Sequence, residues 1–419
     1  MALNAEQIEL NRLKITFCSK PLADVPGAVA SEMEKLRPRV GKGMRVAVAT
    51  GSRGVSNIAV IVKAVVDSLI SFGAEPFVIP AMGSHGGATG PGQKEMLAGY
   101  GITDEAMGVP VLSSMKVESL GVLPGEAALP LFMDRYAFDA DGVVVVNRVK
   151  AHTDFHGENE SGIAKMLVIG LGKQAQATAV HEHMVKGLRT LIRPAAEAIV
   201  KTGKILGALG IVEDGYDKTS IVKAVGAAEI VEEDARLLKL SKEMMPRLPW
   251  DALDVLMVDM MGKDISGTGM DTNIIGRMNI RGEPDGKPEI TRICLFGLTP
   301  QSHGNALGVG LADVIPQSLY DRIDWKATHE NVLTSTFVER GFVPIVRPTD
   351  REALNTALRT CGCQNAGKLR LLRIRDTLHI DEAYATNALS AEAEGRSDVA
   401  VEERGVKLSF NGKGELRKL

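Results

Sequence analysis

The sequence predicts an α/β protein with two domains and mainly parallel sheets, on the basis of three observations. Apolar runs of strand length alternate with segments of helical periodicity along most of the chain. A chain of 419 residues exceeds what a single core usually contains. Pro246 and Pro249 interrupt a helical segment, which predicts an N-terminal domain over 1–250 and a C-terminal domain over 251–419.

The first domain is expected to alternate strands and helices. Apolar runs predict buried strands at 44–50, 75–81 and 141–150. Helical periodicity predicts helices over 58–72, 92–101, 160–172, 176–202 and 228–245, with a further strand near 204–213.

The second domain is predicted to begin a new α/β set. A strand is expected over 253–261, and the set continues through 290–299, a helix near 315–324 and the apolar segment 338–346. In the last residues of the sequence, Asn411 and Gly412 separate two alternating runs, which predicts a terminal β-hairpin.

Composition excludes several functional classes. The net charge is −3 and the basic residues are scattered, which argues against nucleic acid or an acidic membrane surface as partner. The N-terminal segment is too charged for a signal peptide, and no apolar run approaches the roughly 20 residues of a spanning helix. Of four cysteines, Cys361 and Cys363 are too close for an unstrained disulfide. We therefore expect a soluble, cytoplasmic protein.

Polar side chains follow the first three predicted strands. Arg53, His85 and His152 lie in the loops after these strands, and ligands of open α/β sheets bind at the carboxyl ends of strands. We therefore expect the three residues to be neighbours. The loops TGSRGVSN and MGSHGGATG have the small residues that let backbone N–H groups approach a phosphate or carboxylate. Tight strand-to-helix turns would also explain the glycines, but not Arg53 and His85.

The segment 149–183 concentrates titratable residues, including four of the eight histidines. A zinc site is disfavoured because His181 and His183, two positions apart on a helix, point to different sides. His183 is interpreted as a solvated surface residue, whereas for His181 a ligand and a surface role stay open. The run GLGK at 170–173 lacks the spacing of a phosphate-binding loop. Lys165, flanked by apolar residues, is either a partly buried nucleophile or covalent anchor, or it extends to solvent.

Taken in order, these motifs resemble the lactate racemase family. The match consists of GSH at 83–85, VKAH at 149–152, SGIAK ending at Lys165, and His181 sixteen positions further on. It covers roughly residues 44–185. The resemblance implies two α/β domains with the active site in the cleft between them.

The resemblance also implies a cofactor, the nickel-pincer nucleotide Ni(II) pyridinium-3,5-bisthiocarboxylic acid mononucleotide. Lys165 matches the lysine that binds it covalently through a thioamide. His181 matches the histidine that completes a square-planar nickel site with two sulfurs and a carbon, a geometry that suits nickel(II). Ser52 and Arg53 lie in the loop that resembles the family's anion-binding segment, so Arg53 is also expected to bind substrate.

His85 and His152 match the family's pair of catalytic histidines, and the expected activity is inversion of C2 in a 2-hydroxy carboxylate. Hydride transfer suits this inversion, because the carboxylate opposes a carbanion at C2. Imidazole titrates near neutral pH, so one histidine can serve each enantiomer. In the second domain, Lys263 and Asp264 are the candidates for contacts with cofactor phosphates or substrate.

The sequence departs from lactate racemases in the interval between His152 and Lys165. It spans thirteen positions, is longer than in the family, and contains His156 and Glu158. These two residues are assigned to substrate binding, which predicts a substrate more polar than lactate, such as a sugar acid or a hydroxy-dicarboxylate.

Two alternatives to the racemase or epimerase stay open. One is a hydro-lyase or hydrolase with the same fold and another metal or none, and the other is a non-catalytic protein that binds or senses a hydroxy acid. The expected partners are the small-molecule 2-hydroxy acid and the enzymes that make the cofactor. The sequence does not specify an oligomeric state.

Overall fold

Two units make up the structure, a computed structural model that describes residues 3–51, 54–125 and 128–419. Cys18–Met245 form the N-unit, and the residues up to Phe17 join Pro246–Leu419 in the C-unit. The division near Pro246 is close to the boundary expected at 250. The first 17 residues were expected in the first domain, but they belong to the C-unit because their strand pairs there, an association that local patterning does not encode.

The elements are numbered in chain order. The strands are β1 (Glu9–Ile15), β2 (Arg45–Thr50), β3 (Glu75–Pro80), β4 (Val117–Leu123), β5 (Leu129–Asp134), β6 (Gly142–Arg148), β7 (Ile205–Glu213), β8 (Thr219–Gly226), β9 (Ala252–Val258), β10 (Glu289–Leu295), β11 (Val314–Pro316), β12 (Ile345–Arg347), β13 (Leu371–Ile374), β14 (Glu382–Ala385) and β15 (Val399–Lys407). The α-helices are α1 (Val25–Met33), α2 (Ile58–Ser71), α3 (Gly90–Gly99), α4 (Asp104–Met107), α5 (Arg135–Asp139), α6 (Ile163–Lys165), α7 (Lys173–His181), α8 (Met184–Thr190), α9 (Ile192–Val200), α10 (Ile230–Met244), α11 (Thr272–Ile275), α12 (Gln317–Tyr320), α13 (Trp325–Ser335), α14 (Asp350–Thr360) and α15 (Asn387–Ala393).

The N-unit is built on a five-stranded sheet in the order β3-β2-β6-β7-β8. The first four strands are parallel, and β8 joins β7 in the antiparallel sense. The strands β2 and β6 are apolar and buried over most of their length, as parallel strands covered on both faces require. On one face, Val62, Val65 and Leu69 of α2 share a core with Val46 and Val144 of the sheet.

The C-unit is built on an eight-stranded sheet in the order β12-β11-β10-β9-β13-β14-β1-β15. The strands from β12 to β13 are parallel, whereas β14, β1 and β15 pair in the antiparallel sense. Its core includes Val255, Met257, Leu354 and Leu371. Both large sheets are mainly parallel and combined with helices, which confirms the predicted α/β class.

Several helices differ from the sequence prediction. The helix expected over 160–172 is the short α6 followed by a π-helical turn at Met166–Gly170. The helix expected over 176–202 is broken into α7, α8 and α9, and Met184, the first residue of α8, has a φ of 52°, which a continuous α-helix through this position would not allow. Near 315–324 the structure has β11 and the four-residue α12.

The end of the chain turns back on itself as predicted from Asn411 and Gly412. Phe410 faces Leu416 in an antiparallel bridge, and the N–H of Asn411 donates to the carbonyl of Glu415 at 3.0 Å. The predicted hairpin is therefore present as a single bridge.

None of the helices in the described ranges is both long and apolar enough to cross a lipid bilayer. All four cysteines, including Cys361 and Cys363, are unpaired.

Candidate functional site

Three neighbouring strands of the N-unit end at the same edge of its sheet. The parallel strands β3, β2 and β6 lie side by side, so the loops that follow them meet. The loop after β3 contains His85, and the loop after β6 contains His152. The expected proximity of Arg53, His85 and His152 stays a prediction, because Arg53 lies outside the described residues.

The loop after β2 packs against the residue that follows Lys165. A Cβ atom added to Gly51 would lie 2.7 Å from the terminal methyl of Met166, so the two residues are in close contact. Ser52 and Arg53, the residues of this loop predicted to bind cofactor and substrate, lie outside the residues that the structure describes.

The side chains of His152 and Lys165 are in contact through Nε2 and Nζ. The other ring nitrogen of His152, Nδ1, accepts the backbone N–H of Asp154 at 3.0 Å, and a carboxylate oxygen of Asp154 lies 3.8 Å from it. Asp154 therefore offers a donor to the neutral ring and a negative charge to the protonated ring. The ring also stacks obliquely on Phe155, with 4.7 Å between centroids. Such an environment suits a group that changes its protonation state.

The loop between His152 and Lys165 is organised by the buried carboxylate of Glu160. This carboxylate accepts the backbone N–H of His152 at 2.7 Å and of Gly157 at 3.0 Å, and Nζ of Lys242 lies 2.6 Å away. Burial alone would raise the pKa of Glu160, but the hydrogen bonds from His156, Lys242 and the backbone lower it below its usual value. Glu160 is therefore a charged anchor that fixes the main chain of His152.

A second buried carboxylate, Asp234 of α10, holds the start of the helix that carries Lys165. It accepts the backbone N–H of Ile163 at 2.6 Å and Nδ2 of Asn159 at 2.9 Å. A Cβ on Gly162 would lie 2.1 Å from the Asp234 carboxylate, so glycine is required there. Burial raises the pKa of Asp234 to about 6, although these hydrogen bonds act against the rise.

After Lys165 the chain makes the π-helical turn, a rare geometry that is frequent at functional sites. The last carbonyl of this turn, that of Gly170, accepts the N–H of Gly83 in the GSH loop at 3.3 Å. The loop that carries His85 is thereby attached to the segment that carries Lys165. The His85 residue itself is exposed.

His181 ends α7, and its ring is largely buried. Burial is the main cause that lowers its pKa, the positive charge of Lys165 lowers it further, and the Asp154 carboxylate acts in the opposite direction. Its Nδ1 atom is buried and has no hydrogen-bond partner among the described residues. A neutral imidazole with an unpaired nitrogen is the form that binds a metal ion.

No group of three or more His, Cys, Asp or Glu side chains in the described ranges could hold a metal ion.

His156 and Glu158, assigned to substrate binding, contact other protein groups. Nδ1 of His156 lies 3.4 Å from Glu160, and the exposed Glu158 pairs with Arg193 at 3.1 Å. His183, interpreted as a surface residue, is partly exposed and lies just before α8.

Lys263 and Asp264 lie in the C-unit, in the loop after β9. Nζ of Lys263 donates to the carbonyl of Gly267 at 3.0 Å, and the carboxylate of Asp264 accepts the hydroxyl of Thr299 at 2.5 Å. Both side chains thus have partners within the loop region, and their predicted contacts with a cofactor stay predictions.

The lysine of the GLGK run, Lys173, is fully buried and lies 3.1 Å from the equally buried Asp134. Burial lowers the pKa of Lys173, and the Asp134 charge acts against this shift. An ammonium enclosed in this way cannot bind phosphate, which agrees with the rejection of a phosphate-binding loop at this position.

Sequence reasoning missed Glu160 and Asp234. Glu160 belongs to the polar run HGENES, but the run contains two acidic residues, and only burial distinguishes the anchor Glu160 from the exposed Glu158. Asp234 occupies an amphipathic helix far along the chain. The sequence feature that could have pointed to Asp234 is Gly162, which precedes the helix of Lys165 and leaves room for the Asp234 carboxylate.

Comparison with known proteins gives fold similarity only. No protein family and no curated protein matches the chain. A crystal structure of a Thermotoga maritima protein, determined by the Northeast Structural Genomics Consortium, superposes with a TM-score of 0.51 at 16% identity, over 66% of this chain and 71% of that one. The lactate racemase apoprotein from Thermoanaerobacterium thermosaccharolyticum gives a TM-score of 0.46 at 13% identity, over 87% of this chain and 84% of that one.

Proposed function

We propose that the protein is a 2-hydroxy acid racemase or epimerase that inverts C2 of its substrate with a nickel-pincer nucleotide bound to Lys165. The observation that carries this proposal is the environment of the Lys165 amine. It contacts the His152 ring and acts electrostatically on His181, whose Nδ1 is buried and unpaired among the described residues. The order of the motifs, which resembles that of lactate racemases, supports the same assignment.

The residues present fit this cofactor. A primary amine at Lys165 is what a covalent acyl-type attachment needs, and the neutral ring of His181 is what nickel needs from the chain. When bound, the cofactor would supply the hydride acceptor and donor for C2. Ser52, Arg53, Lys263 and Asp264 are the further residues proposed to bind it.

The chain's own groups would bind the substrate and move protons. Arg53 would hold the substrate carboxylate, because a guanidinium binds carboxylates with two parallel hydrogen bonds. His152 would exchange the hydroxyl proton at Nε2, the ring nitrogen that faces Lys165, in the tautomer that carries its other proton on Nδ1, 3.8 Å from the Asp154 carboxylate. His85 would serve the opposite enantiomer.

The preferred substrate is proposed to be a sugar acid or a hydroxy-dicarboxylate. Between His152 and Lys165 the chain carries His156, Glu158 and the buried Glu160, so the site borders a charged loop. Comparing turnover of lactate, malate and gluconate tests this, and lactate as clearly the best substrate would refute it.

The decisive experiment is co-expression with cofactor-making enzymes, followed by intact mass, nickel content and chiral product analysis. The wild type should carry nickel and a mass adduct, and Lys165→Ala should carry neither. Lys186→Ala, which changes an exposed lysine of α8, is the matched control and should behave as the wild type.

Other outcomes would identify the alternatives. A nickel-loaded wild type that binds a hydroxy acid without inverting it would indicate a sensing protein. A dehydrated or hydrolysed product would indicate a hydro-lyase or hydrolase. Either result would overturn the racemase proposal.

A further inference from the structure

A single buried ammonium connects several elements of the candidate site. Lys173, the first residue of α7, is completely buried. Its Nζ atom donates to Oε1 of Gln93 at 2.9 Å and to the carbonyl of Pro80 at 2.5 Å, and lies 3.1 Å from Asp134. The hydrogen bonds to Gln93 and Pro80 use two of the three N–H donors of the ammonium, and the Asp134 carboxylate compensates its charge.

Gln93 of α3, one of the three groups around the Lys173 ammonium, also contacts the GSH loop. Its buried Nε2 donates to the carbonyl of Gly83 at 2.9 Å and to the carbonyl of His85 at 3.2 Å. The amide can adopt only this orientation, because an ammonium cannot accept a hydrogen bond and Oε1 must therefore face Lys173. The Lys173 charge thus fixes Gln93, and Gln93 fixes the main chain on both sides of Ser84.

The opposite side of the ammonium is equally well fixed. The carboxylate of Asp134 accepts the N–H of Tyr136 at 2.8 Å, and the backbone N–H of Asp134 donates to the carbonyl of Leu171 at 2.7 Å. Lys173 therefore lies between a rigid strand end and the GSH loop, at the start of the helix that ends with His181.

A buried ion pair is costly, and well-packed apolar residues of similar volume often stabilise a fold as well or better. Stability alone is therefore a weak explanation for a charged Lys173 at this buried position. The charge is explained if its role is to fix the orientation of the Gln93 amide. The GSH loop is rich in glycine, which has the greatest backbone freedom of any residue, and His85 is exposed at its tip.

We propose that Lys173 and Gln93 are positioning residues for His85: the buried ammonium orients the Gln93 amide, which holds the loop so that the imidazole meets the substrate. The catalytic part of this inference rests on the function proposed for His85. The structural part, restraint of the loop by Gln93, does not.

The test compares two buried glutamines. Gln93→Leu removes both hydrogen bonds to the loop. Gln176→Leu is the matched control, because Gln176 is equally buried and also bridges two backbone groups, the N–H of Phe132 and the carbonyl of Pro130, both on β5. Gln93→Glu is the second variant, since it keeps the volume and an acceptor for Lys173 but removes the amide donors.

Hydrogen exchange in the apoprotein examines the loop without any assumption about activity. Backbone amides of residues 83–89 should exchange about tenfold faster or more in Gln93→Leu and Gln93→Glu, as expected for the loss of two hydrogen bonds. Gln176→Leu should leave these amides unchanged. Unchanged exchange in both Gln93 variants, or equal acceleration in Gln176→Leu, would overturn the proposal.

In the loaded protein, the two Gln93 variants should keep their nickel and their KM but lose about tenfold or more in kcat. Gln176→Leu should keep both constants. If the wild type shows no turnover, the proposed function fails while hydrogen exchange still decides whether Gln93 restrains the loop. If exchange accelerates but kcat does not change, the loop is restrained without positioning His85, and the proposal is refuted.

Discussion

Nε2 of His152 and Nζ of Lys165 are in contact, although thirteen positions separate the two residues in the chain. In the proposed enzyme the lysine is the attachment point and the histidine moves a proton, so substitution should separate these roles. His152→Gln should keep the mass adduct and the nickel, because neither depends on the imidazole. Turnover should fall by about 100-fold or more, the usual contribution of general acid–base catalysis.

Intact mass, nickel content and chiral analysis of the loaded variant check this prediction. His183→Gln is the control, because His183 is partly exposed and is interpreted as a solvated surface residue. Turnover near the wild-type value in His152→Gln would contradict the assigned role.

The pKa of His181 offers a test in the metal-free protein. Burial, and secondly the positive charge of Lys165, hold this pKa below its usual value. Lys165→Met removes the charge, and protonation of the ring then meets less repulsion, so the pKa should rise. It should stay below the usual value because burial persists. An NMR titration of the histidine rings measures the change, with Lys186→Met as control, and an unaltered pKa in Lys165→Met would show that the charge is too distant.

Asp234 should make stability depend on pH in a distinctive direction. Its pKa of about 6 in the fold exceeds the usual 3.8, so the folded state binds this proton more tightly than the unfolded state. Stability from this group is therefore present below about pH 4 and is lost as pH rises through 6, by roughly 3 kcal/mol in total.

Denaturant unfolding at intervals between pH 4 and pH 7 compares the wild type with Asp234→Asn. The asparagine does not titrate, so the difference in free energy of unfolding between the two proteins should change with pH across this window. A difference that stays constant from pH 4 to 7 would be inconsistent with a raised pKa at Asp234.

Glu160 and Lys242 should be energetically coupled. Glu160→Gln replaces the buried carboxylate with an amide that cannot accept all the N–H donors around it, and we expect a loss of about 2 kcal/mol in the free energy of unfolding. In Glu160→Gln/Lys242→Met the loss should be smaller than the sum of the two single losses by about 1 kcal/mol. Strict additivity would mean that the 2.6 Å contact contributes nothing.

The same carboxylate has the opposite pH dependence to Asp234. The pKa of Glu160 is lowered in the fold, so its stabilising contribution is complete above the usual pKa and declines as the pH falls toward the lowered one. The difference in stability between the wild type and Glu160→Gln should therefore shrink at acidic pH.

Much of the N-unit could be predicted from sequence because its signals are local. The runs that became β2, β3 and β6 are continuous and apolar, and α2 has a clear apolar face, so their positions differ from the prediction by only a few residues. The break between α7 and α8 was missed because methionine, the residue type at position 184, gives no sign of the positive φ found there.

The candidate site shows the same limit. His85, His152, Lys165 and His181 could be selected because their order and spacing resemble a family. Glu160, Asp234, Gln93 and Lys173 could not, because what distinguishes them is complete burial beside specific backbone groups. Such partners are 71 to 93 positions away in the chain for Asp234 and Lys173, beyond the reach of any local pattern.

The pairing of β1 with β15 has a consequence for synthesis of the chain. Asn11 accepts the backbone N–H of Gly405, 394 positions later, and β1 lies between β14 and β15 in the sheet. The ribosome therefore releases the N-terminal strand long before either neighbour exists, while every strand of the N-unit sheet becomes available in one continuous stretch. The N-unit can complete its core during translation, whereas the C-unit must wait for the last strand, with β1 unpaired and open to aggregation in the meantime.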